Sequence, residues 1–190
     1  RSRISRSEIA ILARTNRQIE TIKGFMDETG IPAMIMTGSN DPLKKRDIKL
    51  MLAWLDVICN RKDSINLKRA LTFPKQYLTP LQMQRVELSA LERSITVFEA
   101  INQSEECKEC TDIVERIQKK AQEEEAMLAS GYLKTLVSEL GIGEIYKSQG
   151  LQNRIQDAEN AYTQIVQWEQ SKSALGEAND VYAFLKWLRY

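Results

Sequence analysis

From Asp47 onward the apolar residues recur at intervals of three and four, and this feature restricts the fold more than any other. The segment Asp47–Cys59, for example, places its apolar positions on one helical face: Ile48, Met51, Leu52, Leu55 and Ile58. Thr79-Pro80-Leu81-Gln82 combines an N-cap, a proline at the first helical position and a glutamine three residues on, so it predicts a helix start. Similar patterns predict a helix capped at Asp63 or Ser64, and further helices at Ile95–Ile101, Thr111–Ala129, Tyr132–Leu140, Leu151–Gln170 and Asp180–Arg189.

The first 40 residues follow a different pattern. Ile9–Ala13 is a short, bounded apolar run of the kind found in buried strands. Arg17–Thr29 has helical spacing, Gly30 can end that helix in a left-handed conformation, and Ala33–Met36 is a second extended run. This order predicts a parallel β-α-β unit. The expected fold class is therefore mainly α, with a short N-terminal β-α-β unit in residues 1–40 and an all-helical domain in residues 41–190.

Length and composition limit the class of protein. A chain of 190 residues with 43% hydrophobic residues can bury a substantial core, and no apolar run approaches the roughly 18 residues of a membrane span. The three cysteines are few and odd in number, which predicts a reducing, cytoplasmic setting. No signal-peptide pattern opens the chain. Because the chain opens on Arg1 rather than Met, we expect an excised fragment or a processed product.

The net charge of +1 conceals an uneven distribution along the chain. Residues 1–75 hold 15 Lys and Arg against 8 Asp and Glu, which gives +7, and residues 76–190 hold 12 against 18, which gives −6. A basic front half favours a polyanionic partner, and an acidic rear half would orient the molecule on it. Ordinary variation of charge over helical surfaces explains the same numbers equally well.

The sequence lacks the commonest general base and the common nucleotide-binding motifs. It has no histidine, no G-x-x-x-x-G-K-S/T loop and no G-x-G-x-x-G motif, and Gly141-Ile142-Gly143 is better explained as a helix end. Cys107 and Cys110 have zinc-like spacing, but a structural zinc site needs four ligands and the chain offers no second pair. We therefore predict no catalytic, cofactor-binding or metal-binding residues here.

The aromatic residues divide into two groups. Trp54, Trp168 and Trp187 lie among apolar positions at helical spacing, so we predict that they belong to the core rather than stack on bases. Tyr77 lies in a predicted loop just before a helix start, where we expect it to be exposed.

Five segments occur in order between residues 8 and 74: EIAILARTNRQ, GIPAMI, TGSNDPLKKRDIKLMLAWLDVI, NRKDSINLKRAL and FP. In order and spacing they resemble the UvrD/Rep-type superfamily 1 DNA helicases. Weaker similarities in GIGEIY, NRIQDAENAYTQIV and VYAFLKWL extend the resemblance over nearly the whole chain. The resemblance implies a fragment that covers part of the second RecA-like domain, 2A, and most of the inserted helical domain, 2B.

The resemblance also implies DNA contacts. Arg14, Thr15, Asn16 and Gln18 match the segment that in this family touches the backbone of the translocated single strand. A guanidinium can bind a phosphate, and a hydroxyl and an amide can add hydrogen bonds. In the segment that enters 2B, Lys45 stands where the family has an arginine, with Arg46 beside it.

The chain departs from the family at further positions, among them Pro42-Leu43, which replaces a phenylalanine pair. Ala13 replaces a tyrosine, and Ile19-Glu20 replaces a serine-arginine pair. Many members have a Gly-Ile-Gly loop that approaches duplex phosphates, and here Tyr77-Leu78-Thr79 occupies those positions. A tyrosine hinders such close backbone approach, although Lys75 still supplies a long-range positive charge.

The function implied by the resemblance is that of a part of an ATP-dependent DNA helicase in DNA unwinding and repair. ATP and Mg²⁺ belong to other parts of the parent enzyme, so this fragment alone is expected to be inactive and to hold no cofactor. Its expected partners are DNA, either single-stranded or at a single/double-strand junction, and the remaining helicase domains, with no membrane.

The sequence leaves two alternatives open. The parent can be a helicase–nuclease subunit of the related recombination enzymes. Alternatively, the helical domain can work mainly as a protein-interaction or autoregulatory module. A contiguous apolar surface favours a protein partner, and a basic stripe favours DNA.

Overall fold

The computed structural model describes residues 9–31, 33, 41–123 and 128–189. The chain divides into two compact units, Arg1–Asp41 and Pro42–Tyr190. The predicted predominance of helix is confirmed, and none of the described residues lies in a strand. None of the helices found in these ranges is both long and apolar enough to cross a membrane.

The first unit contains one helix in its described part, α1 (Asn16–Glu28). The predicted helix Arg17–Thr29 is therefore confirmed. The predicted strand Ile9–Ala13 is wrong: this segment is not extended in a ladder, and Leu12 is 94% exposed. A strand needs hydrogen-bonded neighbours and a covered face, and the described residues of this unit provide neither. The second predicted strand, Ala33–Met36, lies outside the described residues except for Ala33, which is in no strand.

All the regular secondary structure described in the second unit is helical, and its α-helices begin after a short 3₁₀ turn at Pro42–Lys44. They are α2 (Arg46–Cys59), α3 (Ser64–Ala70), α4 (Pro80–Glu92), α5 (Val97–Asn102), α6 (Glu109–Glu123), α7 (Ala129–Glu139), α8 (Ile142–Ser148), α9 (Gln152–Ala174) and α10 (Val181–Leu188). The helix start at Thr79-Pro80 is confirmed. The prediction missed α8, and residues 124–127 of the predicted helix Thr111–Ala129 lie outside the described residues.

Helix α2 forms the centre of the second unit. It packs against α3, α6, α7, α9 and α10, and most of its side chains are buried. Trp54 is fully buried and its indole Nε1–H donates a hydrogen bond to the Phe73 carbonyl oxygen at 2.9 Å. A helix that is apolar on nearly all sides must be enclosed by other elements, which explains why α2 organises the core.

The prediction for the other tryptophans is only partly confirmed. Trp168 on α9 is buried, but Trp187 on α10 is 42% exposed. Trp187 packs against Trp168 and Phe184, with ring centroids 5.7 and 5.8 Å apart. Trp187 therefore covers the edge of the core, so predicting it as a core residue was wrong.

Buried and partly buried carboxylates tie distant helices together. Glu169 on α9 is 4% exposed and accepts hydrogen bonds from the backbone N–H of Ser130, at 2.8 Å, and from its hydroxyl, at 2.7 Å. Asp47 on α2 accepts hydrogen bonds from the Tyr146 hydroxyl on α8 and the Arg154 guanidinium on α9, both at 2.6 Å. These contacts fix the start of α7 on α9, and the start of α2 on α8 and α9.

Candidate nucleic-acid interface

The start of α1 brings together the four residues predicted to contact single-stranded DNA. Thr15 is the N-cap, and its hydroxyl oxygen accepts a hydrogen bond from the backbone N–H of Gln18 at 3.3 Å. The Gln18 side-chain oxygen accepts one from the backbone N–H of Thr15 at 3.2 Å. Arg14 is exposed directly before this cap, and Asn16 is the first residue of the helix. Thr15 and Gln18 therefore form a capping box, a structural role that the predicted DNA contact had not included.

This arrangement leaves several hydrogen-bond donors for an anion. The cap uses the oxygens of Thr15 and Gln18 as acceptors, so the Thr15 hydroxyl proton and the Gln18 amide N–H groups can still donate. Backbone N–H groups of the first helical turn point the same way, and that turn contains no acidic residue. With the Arg14 guanidinium beside it, the start of α1 can bind a phosphate.

Lys45 and Arg46 lie at the start of α2 in the second unit. Lys45 is the N-cap residue without a side-chain cap, and its Nζ lies 3.9 Å from the carboxylate of Asp157 on α9. Arg46 is exposed. The next residue, Asp47, is held by Tyr146 and Arg154; burial and the hydrogen bond to the Asp47 carboxylate raise the pKa of Tyr146. Asp157 partly balances the charge of Lys45, so Arg46 is the more available cation of the two.

Lys75 lies in the loop before α4. It is exposed, and its ammonium group is 5.0 Å from the centre of the Tyr77 ring. Tyr77 packs edge-on against Trp54, with ring centroids 5.8 Å apart, and burial raises its pKa to about 12. The predicted exposure of Tyr77 is therefore wrong, because the ring is half-buried against the core. Its ring also holds Lys75 by a cation–π contact.

The predicted DNA-contacting residues fall in both units: Arg14 to Gln18 in the first, and Lys45, Arg46 and Lys75 in the second. Within the second unit, Lys45 contacts α9, whereas Lys75 contacts the ring of Tyr77. The structure therefore brings together the predicted residues of α1 and gives Lys45 and Lys75 different neighbours. Our prediction did not single out Arg154 or Asp157, and the only signal for them was a pair of opposite charges three residues apart near a helix start.

The cysteines lie in the helical unit as free thiols. Cys107 and Cys110 are buried, and burial raises the pKa of Cys110 to about 11. Across the described ranges, no group of three or more His, Cys, Asp and Glu side chains is placed to hold a metal ion. Cys107 and Cys110 contribute apolar packing to the core.

Comparison with known proteins identifies the family. The sequence matches the family model described as "UvrD-like helicase C-terminal domain" over residues 1–187. It is 28% identical over 156 residues to the ATP-dependent DNA helicase PcrA of Staphylococcus epidermidis. The aligned region covers 78% of this chain and 21% of that protein. It is 29% identical over 125 residues to the ATP-dependent DNA helicase PcrA of Staphylococcus aureus, and this aligned region covers 62% of this chain and 17% of that protein.

The match therefore spans about a fifth of the length of these relatives. The family match takes in nearly the whole chain, including both compact units. It confirms the resemblance to the UvrD/Rep-type superfamily 1 helicases that was found in the sequence segments. The chain belongs to the family of UvrD-like helicase C-terminal domains.

Proposed function

We propose that this chain is a segment of an ATP-dependent DNA helicase that acts in DNA unwinding and repair in the cytoplasm. Residues 1–40 correspond to part of the RecA-like domain 2A, and residues 41–190 to most of the regulatory helical domain 2B. The family match over residues 1–187 supports this, as do the relatives, which are named ATP-dependent DNA helicases.

The observation that carries the proposal is the start of α1. An exposed arginine, a capped helix end and a first turn without acidic residues form a surface that suits a phosphate of single-stranded DNA. Arg14 supplies the charge, and Thr15, Asn16 and Gln18 supply further polar groups. Because these groups recognise the backbone, the contact has little sequence preference.

Lys45, Arg46 and Lys75 supply secondary contacts to the DNA near a single/double-strand junction. Of these, Arg46 and Lys75 are exposed. The Asp157 carboxylate near Lys45 partly balances its charge and so weakens the attraction of Lys45 for DNA. Residues 1–75, which include all of these predicted contacts, carry a net charge of +7, and this supports DNA as their partner.

The sequence does not fit a site for ATP and Mg²⁺. It has no glycine-rich phosphate loop, and no three His, Cys, Asp or Glu side chains of the described ranges are grouped to hold a metal ion. In our proposal the remaining domains of the complete helicase bind both ATP and Mg²⁺. The partners of this segment are then DNA and those remaining domains.

The proposal is tested by substituting Arg14→Ala in the complete helicase and titrating single-stranded DNA binding against salt. Loss of one charge-assisted contact should weaken binding by about 2 kcal/mol. It should also reduce the salt dependence, the slope of log K against log salt, by about 0.7.

Arg93→Ala is the control. Arg93 is an exposed arginine at the end of α4, and its substitution removes the same charge as Arg14→Ala does. It should leave affinity and slope nearly unchanged. Arg116 is less suitable, because it lies 3.4 Å from the Glu139 carboxylate and its loss breaks an ion pair. If Arg14→Ala behaved as Arg93→Ala does, the start of α1 would not be a phosphate contact.

A further inference from the structure

The second unit contains an apolar groove between α9 on one side and α7 and α8 on the other. Its volume is about 560 Å³, and Met51 of the central helix α2 lies at its floor. The groove contains none of the residues predicted to contact DNA. Its size falls in the range of sites that bind ligands or short protein segments.

The two walls of the groove are built from regularly spaced apolar side chains. Ile155, Ala158 and Tyr162 line the α9 wall at positions i, i+3 and i+7, which places them on one helical face. Leu133 and Val137 of α7, with Ile142 of α8, line the other wall. Tyr162 is 40% exposed although its ring borders this apolar surface.

The rim of the groove carries one charge on each side. Lys134 projects from α7 and Glu159 from α9, and both residues are exposed. Neither forms a salt bridge with another described residue, whereas Lys120 and Arg116 pair with Glu139 on the other side of α7. The groove therefore presents a cation on one wall and an anion on the other, each available to a bound partner.

We propose that this groove binds an amphipathic α-helix of a partner protein. The helix inserts apolar residues spaced i, i+4 and i+7, and it carries an acidic residue toward Lys134 and a basic residue toward Glu159. From Ile155 to Tyr162 the α9 wall extends about 10 Å at 1.5 Å per residue, which matches two turns of the inserted helix.

The chemistry of the groove favours a helix over DNA. Its walls are apolar, and its rim bears both signs of charge, so it offers a phosphate backbone no net attraction. A helix satisfies its own backbone hydrogen bonds and can bury an apolar stripe in such a groove, while its flanks reach the rim charges. This function of the second unit is independent of the DNA contact proposed for α1.

The test uses the 190-residue chain and two fluorescein-labelled helical peptides, with binding followed by fluorescence anisotropy. Both peptides carry leucines at i, i+4 and i+7. Peptide EK has Glu on one flank of the leucine stripe and Lys on the other, and peptide KK has Lys on both flanks. Reversing a peptide in the groove exchanges its flanks, so this comparison does not depend on the direction of binding.

The unsubstituted chain should bind EK several-fold more tightly than KK. Lys134→Glu makes both rim charges acidic, so it should weaken EK about threefold to tenfold and reverse the preference in favour of KK. Lys147→Glu makes the same charge change on α8 outside the groove lining, and the preference for EK should remain.

Ala158→Trp should fill the groove and weaken EK at least tenfold. Gln167→Trp adds the same ring to an exposed position of α9 that does not line the groove, and it should have no such effect. Lys134→Glu alters only an exposed side chain, so it tests the proposal even if Ala158→Trp does not fold.

Four results would overturn the proposal. The first is no binding of labelled EK, at micromolar concentration, to a 100-fold excess of the chain, and the second is equal binding of EK by Ala158→Trp and Gln167→Trp. The others are an unchanged peptide preference in Lys134→Glu, and self-association of the chain that Ala158→Trp abolishes. The last result would assign the groove to a second copy of this chain. If neither peptide binds but a small apolar dye does, the first of these results is met and the groove is assigned to a small molecule.

Discussion

Helices α1 and α4 begin in the same way but lie in very different surroundings. Each has 13 residues and a threonine N-cap whose capping box is completed by a glutamine three residues on: Thr15 with Gln18, and Thr79 with Gln82. Yet α4 buries Val86 and Ala90 in the second unit, whereas none of the side chains described in the first unit is buried.

This difference separates what local sequence specifies from what packing stabilises. The capping boxes fix where both helices start, because they satisfy N–H groups that every helix leaves without an internal partner. Isolated helices of this length are marginal in water, so most of the stability must come from burial. In α1 the apolar Phe25 remains 63% exposed, and burial contributes little.

The largest expected effect comes from removing matched aromatic rings in the two units. Trp54→Ala should lower the free energy of unfolding of the second unit by about 3–5 kcal/mol, because it leaves a cavity and an unpaired Phe73 carbonyl. Phe25→Ala, in the first unit, should change that free energy by less than about 0.5 kcal/mol. Chemical denaturation followed by circular dichroism measures both.

A similar loss for both substitutions would break the comparison, since it would mean that Phe25 is buried in the folded chain and that α1 unfolds together with the core. Trp54→Phe serves as the control for the hydrogen bond, because it keeps most of the ring volume while removing the indole N–H. It should fall between the unsubstituted chain and Trp54→Ala.

The two capping boxes provide a second, smaller contrast. Thr79→Ala should lower the free energy of unfolding of the second unit by about 1 kcal/mol, because α4 unfolds together with the core. Thr15→Ala removes the same cap, but it should reduce the helicity of α1 without moving the main unfolding transition. Hydrogen exchange of the amides in α1 and α4 distinguishes the two outcomes, and a shift of the main transition by Thr15→Ala would show that α1 is coupled to the core.

The smallest effect concerns ion pairs and pH. Hydrogen bonds from Lys120 hold the pKa of Glu139 below its ordinary value of 4.5, with Arg116 adding to the effect. The folded chain therefore binds fewer protons at Glu139 than the unfolded chain does. The stabilisation is fully present above the pKa of Glu139 in the unfolded chain and is lost as pH falls through its lower pKa in the folded chain. Glu139→Gln should lower the free energy of unfolding by about 0.5 kcal/mol at pH 7, and this loss should become smaller at acidic pH.

In the first unit, Lys23 pairs within α1 with Asp27, whose side chain is more exposed than that of Glu139. Asp27→Asn should leave the main unfolding transition unchanged at pH 7, because the pair lies on a helix that buries no described side chain. Equal losses for Glu139→Gln and Asp27→Asn would indicate that the surroundings of an ion pair do not matter in this chain.

The sequence predicts those parts of the fold that depend on neighbouring residues. The start of α4 follows from Thr79, Pro80 and Gln82, and the extent of α1 follows from its apolar spacing and from Gly30, which has φ +68°. Family membership could be recognised from ordered segments such as EIAILARTNRQ, and the four predicted residues at the start of α1 do lie together. Their contact with DNA remains a prediction.

The parts that sequence did not predict depend on distant residues or on missing neighbours. The apolar run Ile9–Ala13 suggested a buried strand, but a run cannot show whether anything covers it, and here Leu12 is exposed. Helix α8 was missed because it is short and because Gly141-Ile142-Gly143 suggested only a helix end. In the structure Gly141, with a left-handed φ of +60°, is also the N-cap of α8. The contact between Asp47 and Tyr146 joins residues 99 positions apart, and no local pattern announces it.

The bond between Glu169 and Ser130 has a consequence for the order of folding. Helix α7 has Leu128 at its N-cap and no side-chain cap of its own, so its first turn depends on a carboxylate 39 residues later in the chain. Until α9 docks, that turn must be solvated by water, and once it docks the Glu169 carboxylate is enclosed. The hydrogen bonds between Ser130 and Glu169 form only when α7 and α9 meet, so we expect substitutions that remove these bonds from either side to give similar φ-values.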